Sequence, residues 1–356
     1  MRHFSIILLV LTLLFSSACQ QQPREFNDSF LVFGTVINVT LLDVDEKLAT
    51  ESFRQIREDL AYMHRVWHVW EPGPLMRVNQ LLETTNEFSA APSVIPLIKV
   101  AQDLSTKSQH LFNPAIGKLI ALWGFHSHQQ PQLEPDDAAI QVLLKQHPTM
   151  QDIKINGVRM KSDNAAVKID LGGVAKGFAI DRLLSNLKQQ GIQNALIDMG
   201  GDIKVIGRHH DRAWIVAIRD PRPEESRDGQ QNKTGIIASL DLRNNEAAFT
   251  SGDYERYLKN KNNHDKHLHH IIDPRTGYPA TGTQSVTVLH EDAATADAAA
   301  TAIFIAGPTQ WIEIAKAMNI KHVMLIDAKG KIHISSAMEK RVKFEQVREI
   351  IERAEL

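Results

Sequence analysis

The chain has 356 residues, 43% hydrophobic and 23% charged, a balance that supports a sizeable buried core and excludes a disordered protein. Forty basic residues against 42 acidic give a formal net charge of −2, so no global field recruits nucleic acid, and none is expected as a partner. Cys19 is the only cysteine, which excludes an internal disulfide.

The N-terminal stretch "MRHFSIILLVLTLLFSSAC" joins Arg2 to an apolar run over residues 6–15 and then to small residues, the make-up of a secretory signal. The run is too short to cross about 30 Å of hydrocarbon as a stable helix. "SSAC" resembles a lipobox, with Ser16 where leucine is usual. Residues 1–18 are therefore read as a signal peptide, Cys19 as the lipidated residue, and 19–29 as a polar tether. The expected location is the bacterial cell envelope, anchored to a membrane and facing the periplasm or exterior. An ordinary cleaved signal with an incidental cysteine is the alternative.

"FLVFGTVINVTLLD" reads as a strand with a close backbone approach at Gly34. Residues 46–64 read as an amphipathic helix, 94–108 as a second, and "PDDAAIQVLLKQH" as a third, capped by Asp136. Residues 167–171 are expected as a strand, Gly172 and Gly173 as a turn, and residue 178 onward as a helix ending at Gly191. "NALIDMGGDIKVIG" and "WIVAIRD" read as strands, and 221–235 as a polar surface loop. "TQSVTVLHEDAATADAAATAIFIAG" passes from strand to alanine-rich helix, and "HVMLIDAKGKIHI" is a hairpin through Lys329 and Gly330. The charged tail, including 346–356, is expected to be a solvated helix. Strands and helices interleave without repeats, so the fold class is α/β, a mixed α+β body.

Several groupings could carry chemistry. The glycine pair of "DLGGVAKGFAID" lets backbone approach a ligand, the following helix points its positive end there, and Lys176 adds a cation, all of which suits phosphate. The spacing is neither a dinucleotide fingerprint nor a P-loop, and taken alone a tight strand-to-helix turn with a surface lysine is the better account. In "ATADAAATA", Asp297 and Thr301 stand four apart on one helix face and offer oxygen ligands to a hard cation, unless the threonine merely back-bonds to its helix. His269 and His270 in "HHIIDPRTGYP" are acid–base candidates. "HDKHLHH" contains no cysteine and ranks low as a zinc site.

Taken together and in order, "FGT", "LMRVN", "FNPAIGKLIALWGF", "DLGGVAKGFAID", "GGDI", "TSGDYER", "HIIDPRTGYP" and "ADAAAT" resemble the ApbE family of FAD:protein FMN transferases. The resemblance spans roughly residues 30 to 340. It implies a single ApbE-like, T-fold-related domain, here 30–345, that binds FAD as substrate with Mg²⁺ and passes FMN to a threonine or serine of an acceptor protein, releasing AMP. FAD pyrophosphatase activity and a non-catalytic flavin-binding lipoprotein are the alternatives, with a non-flavin metal carrier using the histidine cluster behind them.

Carried over residue by residue, the resemblance implies a metal held by the main-chain carbonyl of Gly173 and the side chains of Asp297 and Thr301. Phe33, Trp70, Leu111, Phe112, Asn113, Asp170, Lys176 and Ile272 would contact FAD. Relatives commonly carry aspartate where Asn113 stands, and "RVWHV" before Trp70 departs from a serine-rich pattern. His270 is the candidate base for the acceptor hydroxyl, with Asp253 or Tyr254 as alternatives, and Asp297 is counted as catalytic through the metal. The expected acceptor is an exported flavoprotein subunit of a membrane redox complex, of the ion-pumping NADH:quinone or electron-bifurcating kind (Nqr- or Rnf-like).

Overall fold

The computed structural model of the chain describes residues 24–125, 134–223, 235–259, 267–345 and 349–356. The signal segment, Cys19, most of the polar loop 221–235 and the first three residues of the histidine run (264–266) lie outside the described residues. The opening apolar stretch folds as two strands, β1 (Glu25–Val32) and β2 (Thr35–Leu42), rather than the single strand expected. Phe33 and Gly34 between them both lie at positive φ, the two-residue turn whose twist suits an antiparallel pair. Residues 25–29, expected as tether, belong to β1. Their polar side chains bond across the pair, Ser29 Oγ donating to Asn38 Oδ1 (2.8 Å) and Thr40 Oγ1 to Asn27 Oδ1 (2.6 Å).

Helix α1 (Glu46–Trp67) starts where the Asp45 carboxylate accepts from the Leu48 amide, and buries Ile56, Leu60 and Met63 along one face. Then follow α2 (Pro74–Leu82), β3 (Phe88–Ser89), α3 (Ile95–Lys107), α4 (Gly117–Leu122), α5 (Asp137–Lys145), β4 (Ile153–Asn156) and β5 (Arg159–Ser162). Residues 167–171, expected as a strand, make only one isolated bridge, Lys168 to Ile116. The amides of Lys168 and Asp170 bond to the carbonyls of Ala115 and Pro114, while the Asn79 side chain accepts from the Ile169 amide and donates to its carbonyl. A side chain thus completes the pairing that a neighbouring strand would supply.

Helix α6 (Ala175–Gln189) precedes β6 (Asn194–Met199), β7 (Ile203–Ile206), β8 (Trp214–Arg219), β9 (Ile236–Leu242), β10 (Ala247–Gly252) and the short pair β11 (Tyr257–Lys259) and β12 (His267–His269). Strand β13 (Thr283–His290) leads into helix α7 (Ala293–Ala317), interrupted at Gly307 and Pro308, where Gly307 takes a non-helical backbone. The chain ends with β14 (His322–Asp327), β15 (Ile332–Ser335), α8 (Ser336–Glu339), β16 (Val342–Phe344) and β17 (Ile350–Ala354).

The main sheet has nine strands in the order β1-β2-β6-β7-β10-β13-β14-β15-β17, antiparallel except for the parallel pair β15 and β17. One face packs on α6 and α7. The other is covered by the small sheet β16-β9-β8 through Val205, Trp214, Leu240, Leu289, Met324 and Ile334. Strand β13 is buried over residues 283–289 because both faces are covered, which is why it reads as a run without alternation. The sequence led us to expect a helix at 346–356; β17 stands there instead. The acids and bases read as a solvated face have partners: Glu352 Oε2 accepts from Trp311 Nε1 (2.7 Å) and lies 3.0 Å from His333 Nδ1, and Arg353 pairs with Glu339. The mixed α/β architecture expected from the sequence is the one the chain adopts.

Candidate active site

The site lies where α6 and α7 cross above the ends of β7 and β10. Gly177 on α6 makes the crossing possible: a Cβ there would stand 2.2 Å from the carbonyl oxygen of Ala293, so only glycine allows the helices this close. The approach lets the Gly177 amide donate to Asp297 Oδ2 (3.1 Å). One turn before it, the glycine turn reaches the same place, and a Cβ on Gly173 would lie 3.2 Å from both Thr301 Oγ1 and the Phe112 ring. Gly173, Asp297 and Thr301, predicted as one set, are thus brought together from two distant stretches of chain. Thr301 Oγ1 also makes the back-bond to the Asp297 carbonyl (3.3 Å) and lies 3.2 Å from Ser251 Oγ on β10.

Charge at this point is unbalanced. Asp297 is only 6% exposed, and burial pushes its carboxyl up to about 7, with nearby Asp202 adding to the rise and Lys176 opposing it. Lys176 forms an ion pair with Asp202, whose other oxygen accepts from the Thr250 amide at 3.2 Å. Burial alone would lower the Lys176 ammonium, but Asp202 and Asp297 together hold it above its ordinary value. Two buried carboxylates around one ammonium, with a threonine hydroxyl and the Gly173 backbone alongside, form an oxygen-rich donor set suited to a hard divalent cation.

The histidine pair divides. His269 is 2% exposed and spent on structure: its Nε2 lies 2.8 Å from the Ala280 carbonyl, and Nδ1 accepts from the Ile271 amide at 3.2 Å. His270 is half-buried, with Nδ1 3.3 Å from the Arg256 carbonyl. A carbonyl only accepts, so Nδ1 carries the proton and Nε2 keeps a lone pair, the form a base requires. Burial, then the Arg256 cation and His269, push this imidazole down to about 3.

A sequence model of the ApbE family matches residues 33–324. The chain belongs to the ApbE family. It is 37% identical over 319 residues to the FAD:protein FMN transferase of Rhodobacter capsulatus, covering 90% of this chain but only 58% of that longer relative. It is 30% identical to the enzyme of the same name from Klebsiella pneumoniae, covering 79% of this chain and 82% of that one. Among solved structures, the ApbE protein from Thermotoga maritima superposes with a TM-score of 0.78 at 27% identity, over 91% of this chain and all of that one. The flavin transferase ApbE from Vibrio cholerae does so at 0.75 and 25%, over 90% and 99%.

The remaining ApbE-motif residues fall into two groups. Phe112 walls Gly173, and Asp170 sits beside it, its Oδ1 accepting from the Gly172 amide at 2.9 Å. Burial raises the Asp170 carboxyl, while that amide, Arg256, Lys168 and a hydrogen bond from Trp70 pull the other way. The Trp70 ring lies under Lys168 Nζ at 4.2 Å, and Phe33 stacks on Trp67 at the hairpin tip, with centroids 6.4 Å apart. The second group is engaged elsewhere. Leu111 is buried in the main core, Ile272 in a separate apolar cluster with Leu258 and Trp123, and both ends of the Asn113 amide are taken by the backbone of Pro148 and Ala115. Of the alternative bases, Asp253 is gripped by both terminal nitrogens of Arg222 (2.9 and 2.6 Å), and burial pushes the Tyr254 hydroxyl well above its ordinary range. Asp202 was not singled out as a site residue. Its only signal was an acid directly after two glycines at the end of a strand, which also describes an ordinary turn.

Proposed function

We propose that the chain is an FAD:protein FMN transferase. What carries the reading is the meeting of the Gly173 turn, Asp297 and Thr301 beside Lys176, the donor set that a bridging pyrophosphate and its cation need. The acceptor's threonine or serine oxygen attacks the FMN-side phosphorus, the bond from that phosphorus to the bridging oxygen breaks, and AMP leaves with the electron pair. His270 Nε2 takes the hydroxyl proton. The unliganded imidazole is a weak base; the negative charge of bound FAD raises its basicity where it is needed. Lys176 neutralises phosphate charge and exchanges its Asp202 partner for a phosphate oxygen, and Phe112 shields the turn from water.

Mg²⁺ fits the donor set: Asp297, Thr301 Oγ1 and the Gly173 carbonyl would hold it, and it would supply charge neutralisation at the pyrophosphate. An exported flavoprotein subunit of a membrane redox complex, Nqr- or Rnf-like, is the proposed acceptor. The N-terminal signal pattern ending at Cys19 supports a lipid-anchored place in the cell envelope, facing the periplasm or exterior, which labelled fatty acid lost on Cys19→Ala would check. The decisive test is mass analysis of an acceptor fragment incubated with enzyme, FAD and Mg²⁺. The expected result is a gain of one FMN with release of AMP. FMN and AMP formed at the same rate without any gain in acceptor mass would make the chain a pyrophosphatase instead.

A further inference from the structure

A second cluster of ligating side chains lies at the far edge of the main sheet, where the start of β1, the end of β2 and the loop after β7 meet. Glu25, His209 and His210 each offer one ligand atom, and these atoms lie within 4.8 Å of one another. His209 Nε2 stands 3.6 Å from Glu25 Oε2, too far for a hydrogen bond. A tetrahedral ion with bonds of about 2.0–2.2 Å separates its ligands by roughly 3.3–3.6 Å, the spacing of this His209–Glu25 pair. Behind His210, Asp43 Oδ1 lies 3.6 Å from Nδ1, a nitrogen that is buried and makes no hydrogen bond. Asp43 is itself held by Asn194 Nδ2, which donates to its second oxygen at 3.0 Å. A carboxylate facing Nδ1 favours the tautomer with its proton there, leaving Nε2 as donor, and a braced carboxylate behind a histidine is the usual support of a metal ligand.

We propose that Glu25, His209 and His210 form a Zn²⁺ site, oriented by Asp43 and completed by water, that clips the first strand to the loop after β7. One contact opposes it. Arg212 Nε donates to His209 Nδ1 at 3.3 Å, which puts the histidine proton on Nε2. Arg212 is exposed, so a bound ion would displace its side chain into solvent. The other histidine cluster, His64, His68 and Glu71, has no such freedom. There the acceptor is His68 Nδ1 and the donors are the fixed amides of Trp70 and Glu71 (3.2 and 2.9 Å), so Nε2 keeps its proton.

Co²⁺ titrated into the metal-free full chain reads the geometry directly. One equivalent should give the intense visible absorption of a tetrahedral ion, displaced by Zn²⁺ and untouched by excess Mg²⁺. His210→Ala and the surface change Glu25→Gln should abolish it, Asp43→Asn should weaken Co²⁺ affinity about 10- to 100-fold, and Arg212→Ala should match or exceed the native affinity. Zn²⁺ added over saturating Mg²⁺ should raise Tm further in the native chain and not in Glu25→Gln. FMN transfer should be unchanged in all four variants. A weak six-coordinate spectrum, or a tetrahedral one that survives both Glu25→Gln and His210→Ala, would overturn the proposal.

Discussion

The two ends of one stretch of α6 show what separates a working site from scaffold. At the front, Lys176 faces two carboxylates, Asp202 and Asp297, and one of them is left with a carboxyl pushed up to about 7 by burial. About 7.5 Å further along the helix, Asp181 pairs with buried Lys204 at 2.6 Å. Its other oxygen accepts from the Ala293 and Ala294 amides at 2.9 and 3.2 Å, capping the start of α7. Lys204 also donates to the Glu291 carbonyl. The rear cluster has partners enough to be complete; the front one leaves the Asp297 carboxyl without an ion partner of its own, which is where the proposed cation would sit.

The contrast breaks most sharply at Asp297. Asp297→Ala should cut FMN transfer roughly 100-fold or more, several kcal/mol of transition-state stabilisation, while the denaturation midpoint holds or rises. Asp181→Ala should do the reverse. Lys204 is then buried without its anion and α7 loses its cap, so urea unfolding should show a loss of about 3 kcal/mol with turnover per folded molecule retained. A loss of turnover matching Asp297→Ala would erase the distinction between front and rear.

His270→Gln should lower transfer about 100-fold with FAD affinity kept, measured by fluorescence quenching and mass analysis; undiminished transfer would remove His270 from the chemistry. The corresponding change at His269 should instead lower Tm. A smaller effect concerns pH. Asp297 in the folded, metal-free chain titrates at about 7 against 3.8 as its ordinary value, so the folded state holds a proton that the unfolded state has lost. Stability contributed below pH 4 is therefore lost as pH rises through about 7. Mg²⁺ affinity should rise over the same range and then level off, and calorimetry on Asp297→Asn should show neither dependence. Last, Thr301→Val should weaken Mg²⁺ binding by roughly tenfold, about 1.4 kcal/mol, without disturbing the fold.

What the sequence disclosed followed the range of the forces involved. Local periodicity and turn residues were legible: α1 and α7, the hairpin of β14 and β15, and β13 with its unbroken apolar run. The set Gly173, Asp297 and Thr301 was legible through its motifs, although 124 positions separate Gly173 from Asp297 along the chain. Pairings decided by distant partners were not. β17 depends on β15 and on Trp311 and His333 to take up its acid, and residues 167–171 depend on Asn79. Asp202 escaped notice because its meaning comes from Lys176, supplied by another element. Asn113 and Ile272 were motif matches whose bonds and burial are internal to the fold.

The missing methyl group at Gly177 has a consequence for how the proposed site would meet its ligands. With α6 and α7 already touching, the gap between the glycine turn and the two oxygens on α7 is a fixed gauge, so the proposed ion would find it already cut and binding would have little reshaping to drive. Gly177→Ala would act as a wedge between the helices, and its signature would be a poorly seated cation in a protein that has also lost helix packing.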